Sequence, residues 1–231
     1  MSSRPLFPHT LAALALGALT ATAALPALAE THDHDHDHDQ AETHEHAHSH
    51  DEDAQRIYNG YFTDEEIQPR SLADWQGDWQ SVYPLLQDGT LAPVMADKAA
   101  HGDKSAEDYT AYYQIGYATD VDRIQIDGPT FTFHGPEGSV TGTYADDGFE
   151  VLTYAKGNRG VRYIFRKVEG DAAAPGYVQF SDHAVAPTDA GHYHLYWGDD
   201  RAALLEEVTN WPTYYPADLS GAEIAQEMLA H

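Results

Sequence analysis

The sequence predicts a mainly β fold, an antiparallel barrel or sandwich with a few short helices at its flanks. Three observations lead there. Eight short strand-like runs follow one another between Tyr109 and Trp197. Turns rich in Gly, Asp and Asn separate them, as in Asp146-Asp147-Gly148 and Gly157-Asn158-Arg159-Gly160. Helical spacing of apolar residues falls almost wholly outside that stretch. Short strands at close spacing bury their apolar faces by stacking two sheets or by closing one sheet on itself.

Taken in order, the chain begins with a processing segment, residues 1–29. Arg4 supplies a positive start, Leu11 to Leu28 is rich in Ala and Leu, and Ala27-Leu28-Ala29 is an A-x-A cleavage signature. Pro26 breaks the apolar stretch and an acidic run follows it, so no membrane anchor is expected after cleavage. The mature chain would start at Glu30, outside the cytoplasm, in a periplasm.

Residues 30–54 are a His/Asp-rich tract. His32, His34, His36 and His38 alternate with Asp, and His44, His46, His48 and His50 continue the two-residue spacing. Almost nothing apolar is present to offset chain entropy, so the tract is expected to lack structure without a ligand. Tracts of this composition bind transition metals as auxiliary, low-affinity ligands. A purification tag fits poorly, because the histidines alternate with Asp and follow a natural cleavage site.

Residues 55–231 form the folded domain. Leu72, Trp75, Trp79, Val82, Leu85 and Leu86 recur at spacings of three and four, which predicts short helical turns interrupted by Gly77 and Pro84. Asp88-Gly89 is a turn, and Leu91–Lys104 reads as a helix. The strands expected next are Tyr109–Thr119, Val121–Asp127, Thr130–Phe133, Ser139–Tyr144, Phe149–Ala155, Val161–Val168, Tyr177–Phe180 and Tyr193–Trp197. A Leu-rich helical run at Ala202–Val208 and a helix at Ala222–Leu229 close the chain. Ser220 and Glu223 form a capping box for the latter.

Composition narrows the function. The formal net charge is −26, from 12 basic and 38 acidic residues. Nucleic acid is excluded as a partner, since phosphate binding needs clustered Lys and Arg. Cations and basic surfaces are attracted instead. Cysteine is absent, so neither disulfides nor thiolate ligands contribute, and any metal site must use His and carboxylate.

His183, His192 and His194 carry the chemistry. They flank the turn Pro187-Thr188-Asp189-Ala190-Gly191 in a hairpin or wide turn. Residues i and i+2 of a strand share a face, about 6.5–7 Å apart, so His192 and His194 face one way. His183 is expected to end the preceding strand, and folding the turn brings it alongside. Three neutral imidazoles with an open fourth position hold Zn²⁺ at about 2.0–2.1 Å per bond. Asp182 points to the opposite face, which suits a salt bridge or an acceptor for a ligand N–H. Asp199, Asp200, Glu206 and Glu207 are alternative carboxylates for the fourth position. His101, His134 and His231 read as surface or capping residues. Arg159 and Arg162 are expected to pair with carboxylates, and Trp75, Trp79 and Trp211 to plug the core.

Several strings in the same order carry a family resemblance. They are Trp75-Gln76-Gly77-Asp78-Trp79-Gln80-Ser81-Val82-Tyr83-Pro84-Leu85-Leu86, Gly157-Asn158-Arg159-Gly160-Val161-Arg162-Tyr163, Tyr177-Val178-Gln179-Phe180-Ser181-Asp182-His183, His192-Tyr193-His194, and Asn210-Trp211-Pro212-Thr213-Tyr214-Tyr215-Pro216. From about Ser71 to the end the chain resembles the ZinT (YodA) family of periplasmic zinc- and cadmium-binding proteins, a module also found at the C-terminus of AdcA-type zinc lipoproteins. The resemblance implies a lipocalin-like (calycin) antiparallel β-barrel with accompanying short helices, and a metal held by His183, His192 and His194 at the barrel mouth. It implies zinc recruitment under scarcity and handover to the periplasmic binding protein of a zinc ABC importer.

Three functions compete on the residues alone: zinc binding and delivery, a three-His zinc hydrolase or hydratase, and a lipocalin-type small-molecule binder with a structural metal. No His-Glu-x-x-His motif is present and no base stands at fixed spacing from the triad. An enzyme also has no need of eight further histidines, so a non-enzymatic zinc binder is the expectation. Imidazole ligands leave Cd²⁺, Cu²⁺ and Ni²⁺ open as ions that bind in vitro.

Overall fold

The computed structural model describes residues 45–207 and 209–230, with side chains from Glu52 onward. Eight antiparallel strands close into a barrel in sequence order. They are β1 (Gly77–Ser81), β2 (Arg123–Asp127), β3 (Thr130–Gly135), β4 (Gly138–Thr153), β5 (Arg159–Gly170), β6 (Tyr177–Ser181), β7 (Tyr193–Gly198) and β8 (Thr213–Pro216). β8 pairs with both β7 and β1 and so removes the last sheet edge.

Among the described residues, six α-helices accompany the barrel: α1 (Glu45–Tyr58), α2 (Tyr83–Gln87), α3 (Ala92–His101), α4 (Ala106–Gly116), α5 (Arg201–Glu206) and α6 (Gly221–Ala230). α1 begins inside the segment expected to lack structure. His32 to His44 lie outside the described residues, as do the signal segment and His231.

Alternation along the strands sorts the side chains into two cores. Trp79, Ile124, Ile126, Phe131, Phe133, Phe165, Phe180, Tyr193, Leu195 and Tyr214 point inward around Trp75, which is fully buried. Rings fill this interior: Trp75 stacks on Phe180 at 4.3 Å, and Trp79 meets Tyr193 edge-on at 4.7 Å. A second core lies outside the wall, where Val82, Leu86, Leu91, Val94, Met95, Tyr117 and Ile224 pack with Tyr215 of β8. The outer face of β8 is therefore covered by helices rather than water.

Four local expectations give way here. The expected strand Tyr109–Thr119 is helix α4. Ser105 caps it, its hydroxyl accepting from Asp108 N–H at 3.1 Å, with Glu107 and Asp108 in the first turn. Tyr109, Tyr112, Tyr113 and Gly116 then share one helical face, a spacing of three and four that the aromatic content disguised. Trp79 lies in β1 rather than in a helical turn, while Trp75 ends a short 3₁₀ helix, Leu72–Trp75. The two strands expected around Asp146-Asp147-Gly148 are one strand, β4, with bulges between Thr143 and Tyr144 and between Asp146 and Phe149. Gly148 takes φ +82° in the second bulge, and its N–H meets the Asp146 carboxylate at 3.0 Å. Strand β8, in the stretch from Pro212 to Pro216, was not among the expected strands. It is only four residues long, so both prolines sit at its ends.

The capping box of α6 forms as expected. Ser220 N–H donates to Glu223 at 2.8 Å, and Ser220 Oγ accepts from Glu223 N–H at 3.3 Å.

Candidate metal centre

The triad is built by the end of β6, the loop after it and the start of β7. Ser181 ends β6 and registers with His194, the second residue of β7. His183 does not end the strand as expected. It stands two residues beyond it at φ +66°, the one described non-glycine residue with positive φ. That conformation is sparsely populated and persists only where surroundings impose it. The surroundings are plain. Asp182, next door, is buried and held by Arg70 Nη1 at 2.6 Å and Trp75 Nε1 at 3.0 Å. Further along the loop, Arg70 Nη2 donates to Thr188 O at 2.8 Å, and Ala190 N–H donates to Asp74 O at 2.8 Å.

The loop thus returns His192 beside His183. The ring centres form a near-equilateral triangle: 6.0 Å from His183 to His192, 5.8 Å from His183 to His194 and 6.1 Å from His192 to His194. Since Tyr193 and Leu195 point into the barrel, His192 and His194 face outward. The resemblance implied a metal at the barrel mouth; the three rings gather on the outer wall, beside the end of β6 and the start of β7, and not in the lumen. Tyr215, Lys98 and Met228 help enclose a cavity of about 110 Å³ there.

Neighbours fix two of the tautomers. His183 Nδ1 lies 3.2 Å from the Tyr58 carbonyl, which only accepts, so Nδ1 carries the proton. Thr213 gives its hydroxyl proton to Trp211 O at 2.9 Å, so toward His194 Nδ1, 2.8 Å away, it accepts. Both rings keep a lone pair on Nε2, the arrangement that supporting acceptors impose on metal-binding histidines. Stacking sets ring planes as well: His183 lies on Tyr58 at 4.4 Å, and His192 lies on Tyr215 at 5.0 Å and 9°. Burial, then the neighbouring His183 and His192, hold His194 well below the ordinary imidazole pKa, which favours the neutral ligand form.

The donor set suits a borderline ion such as Zn²⁺. Three imidazoles on a tetrahedral ion at about 2.0–2.1 Å would set their ring centres roughly 5 Å apart. The observed triangle is about an ångström wider. Accordingly, no group of three ligands among the described residues stands at the spacing of a closed ion site. Closing it takes an inward shift of a few tenths of an ångström per ring.

The remaining candidates go elsewhere. Asp182 faces inward, as alternation predicted, and forms a salt bridge. Asp199 accepts from Gly176 N–H at 2.9 Å, Asp200 caps α5, and Glu207 accepts from Thr209 and Asn210 main-chain N–H groups. His101 is a surface residue bonded to Asp97 O, and His134 contacts Gln125. Arg159 pairs with Asp64 as expected. Arg162 forms no salt bridge, contrary to expectation; it meets the Glu207 main-chain oxygen at 3.1 Å, the Tyr196 ring and the Tyr154 side chain, with the Glu207 charge farther off. Trp211 packs outside the barrel against Tyr112 and Gly116, not in its interior. Sequence reading missed Tyr58 and Thr213. Neither has a motif, because one acts through its carbonyl and ring and the other through a strand that was not recognised.

A family model described as ZinT (YodA) periplasmic lipocalin-like zinc-recruitment matches residues 53–231. The chain is 56% identical over 181 residues to "Probable metal-binding protein YrpE" of Bacillus subtilis (strain 168), covering 78% of this chain and 72% of that one. It is 53% identical over 187 residues to the zinc-binding protein AdcA of Streptococcus pyogenes serotype M1, but spans only 36% of that longer protein. The Zn(II)-bound ZinT-like domain of Streptococcus pneumoniae AdcA superposes with a TM-score of 0.73 at 49% identity, covering 75% of this chain and 97% of the domain. The whole Zn(II)-bound AdcA gives the same TM-score, with 38% of its length covered.

Proposed function

The chain belongs to the ZinT family, and from that premise we propose that it captures zinc outside the cytoplasm on His183, His192 and His194 and hands the ion to the binding protein of a zinc ABC importer. The observation that carries this reading is the triangle of imidazoles at about 6 Å, two of them held by acceptors in the tautomer that leaves Nε2 for an ion. Zinc binding by the AdcA relatives supports it. The test is a competition titration with zinc on the full chain, followed by mixing the loaded protein with a metal-free importer binding protein. One tight site and transfer faster than spontaneous release are expected. Release no faster than into buffer would remove the handover step.

The alternatives have less support. Hydrolysis needs a base near the ion, and the described wall of the triad cavity holds Tyr58, Lys98 and Tyr215 but no carboxylate. The relatives, too, are named as metal-binding proteins. A lipocalin-type ligand needs a lumen, and this one is filled by Trp75, Phe131, Phe165 and Phe180.

Three predictions follow from this reading. Thr213→Val keeps the volume but removes the acceptor for His194, and should weaken zinc by about tenfold to a hundredfold; an affinity equal to wild type would show that Thr213 does not orient the ligand. Acid should release the metal. Protons compete for imidazoles with an ordinary pKa of about 6.5, so affinity falls as pH drops below roughly that value. His194 adds a stability effect of the same sign. Its folded pKa is depressed, so its contribution is complete above about 6.5 and is lost as pH falls toward the folded value. Metal retained unchanged at pH 4 would place the ion on carboxylates. Finally, deleting residues 32–50 should lower zinc stoichiometry and capture rate yet leave the tightest affinity within about tenfold, because a tethered tract raises local ion concentration without shaping the site. Loss of tight binding would make the tract part of the primary site.

A further inference from the structure

A second cavity, of about 410 Å³, runs along the outer wall from His183 and His194 to Arg162. Metal capture as described leaves its far end without a role. Arg162 is 1% exposed. Its guanidinium lies 3.1 Å from the centre of the Tyr196 ring, and Nη2 donates to Glu207 O at 3.1 Å. Nε and Nη1, both buried, have no partner.

This is unusual in two respects. Arg56, Arg70, Arg123, Arg159, Arg166 and Arg201 all form salt bridges with Asp or Glu. Arg162 alone among the described arginines does not, in a chain with 38 acidic residues. The described cavity wall also contains no Asp or Glu at all. A guanidinium stays charged at any ordinary pH, and a buried charge without a counter-charge is unfavourable. The aromatic face and one carbonyl compensate in part. Nε and Nη1 together carry three N–H groups without an acceptor in hydrogen-bonding geometry, and the charge is met only by Tyr154, Tyr196 and the more distant Glu207.

The cavity also leads to the metal site. Tyr163 registers with Phe180, which sets Arg162 across from Ser181, and Ser181 registers with His194. Arg162, Ser181 and His194 therefore form a row on the outer face of three adjacent strands, about 4.7–4.9 Å apart per strand. Asn158 and Ser181 add polar groups, while Val161, Val185 and Trp211 add apolar wall.

We propose that this cavity binds a small monocarboxylate anion on Arg162, beside the metal, and that anion and zinc strengthen each other's binding. A single negative charge matches a buried cation with no carboxylate at salt-bridge distance, Glu207 acting on it only from farther off, and the apolar wall accommodates a short hydrocarbon body. Such an anion lies between a guanidinium and a metal cation and offsets the repulsion between them. By linkage, zinc then raises anion affinity by the same factor that the anion raises zinc affinity. The coupling rests on the metal reading given above; the anion site itself does not.

Acetate is the probe, with the full chain in carboxylate-free buffer. Its binding to metal-free protein is read by saturation-transfer NMR, and zinc affinity is read by dye competition with and without millimolar acetate. Expected are acetate binding that Arg162→Gln abolishes and Arg162→Lys restores in part, and zinc affinity raised about fivefold or more by acetate in wild type only. Circular dichroism checks that each variant is folded; should Arg162→Gln fail to fold, the wild-type acetate dependence and Arg162→Lys decide. No acetate binding to wild type overturns the site. So does an acetate effect of equal size in Arg162→Gln, which would be solvent chemistry of zinc. Zinc weakened by Arg162→Gln in the absence of acetate, with no acetate response in wild type, would mean that a carboxylate of the protein itself takes the place, and also overturns the proposal. Failure of wild type to bind zinc tightly would sink the metal reading alone, since the NMR arm reports on the anion without it.

Discussion

Replacing any one of His183, His192 and His194 by alanine is expected to weaken the tightest zinc site by more than about a hundredfold, beyond what loss of a supporting acceptor costs. In the proposed site each ring would supply one of three protein ligands, so deletion would leave two imidazoles about 6 Å apart and a much poorer chelate. The fold should survive, because all three rings lie on the outer wall and none belongs to the barrel core. His183 needs a control of its own. Alanine at φ +66° keeps the backbone strain, whereas His183→Gly removes the ligand and suits the left-handed conformation. Equal loss in both variants would attribute the effect to the imidazole. His101→Ala, at an exposed position, should change nothing. Wild-type affinity in any two of the triad variants would dismiss the assignment.

The convergence of the three imidazoles was readable because it is local. His192 and His194 share a face by strand alternation alone, and His183 is eight residues before Gly191, near enough for one loop to return it. What could not be read was how the loop does so. The closing contacts come from Arg70 and Asp74, more than a hundred residues away in sequence, and no local pattern announces them. The same limit hid the location of the site. A strand pattern tells which residues share a face, but β7 is buried on both faces, inward by rings and outward by Tyr58, Tyr215 and the helices. Hydrophobicity therefore does not mark which side is the lumen.

The barrel was legible in kind, but β1, β4 and β8 were misread or missed and one expected strand is a helix. Tyr109–Thr119 has the aromatic content of a strand, but the Ser105 cap and acidic first turn decide for a helix that packs on Trp211. β8 carries two flanking prolines and only four residues, so its identity comes from pairing with β7 and β1. Arg162 was misread for an instructive reason. In an acidic chain every arginine is expected to find a carboxylate, and the exception is visible only once the wall around it is assembled.

Asp182→Ala is expected to destabilise the fold by about 3–5 kcal/mol, the usual cost of breaking a buried ion pair by removing one partner. Asp182 and Arg70 are almost wholly buried, with side-chain exposures of 2% and 0%. The carboxylate accepts from Arg70 Nη1 at 2.6 and 2.8 Å, from Trp75 Nε1 at 3.0 Å and from Ala184 N–H at 3.2 Å. Without it, Arg70 keeps only Asp74 as a counter-charge, and the Trp75 indole N–H is left buried without its acceptor. A drop of roughly 10 °C in the thermal midpoint follows for a domain of this size. Asp182→Asn keeps acceptors for the indole but loses the charge, so it should fall between wild type and Asp182→Ala. Replacing both partners, Arg70→Met with Asp182→Leu, removes the unpaired charge and should recover part of the loss, a coupling that a double-mutant cycle measures directly. The effect reaches the metal centre through the chain. Asp182 holds the residue before His183, and Arg70 holds Thr188 later in the same loop. Zinc affinity of Asp182→Ala should therefore fall as well, yet by less than in the triad variants, because all three imidazoles remain. A stable Asp182→Ala with unchanged zinc affinity would show that Asp74 alone secures Arg70, and that the loop holds His183 in place without the buried pair.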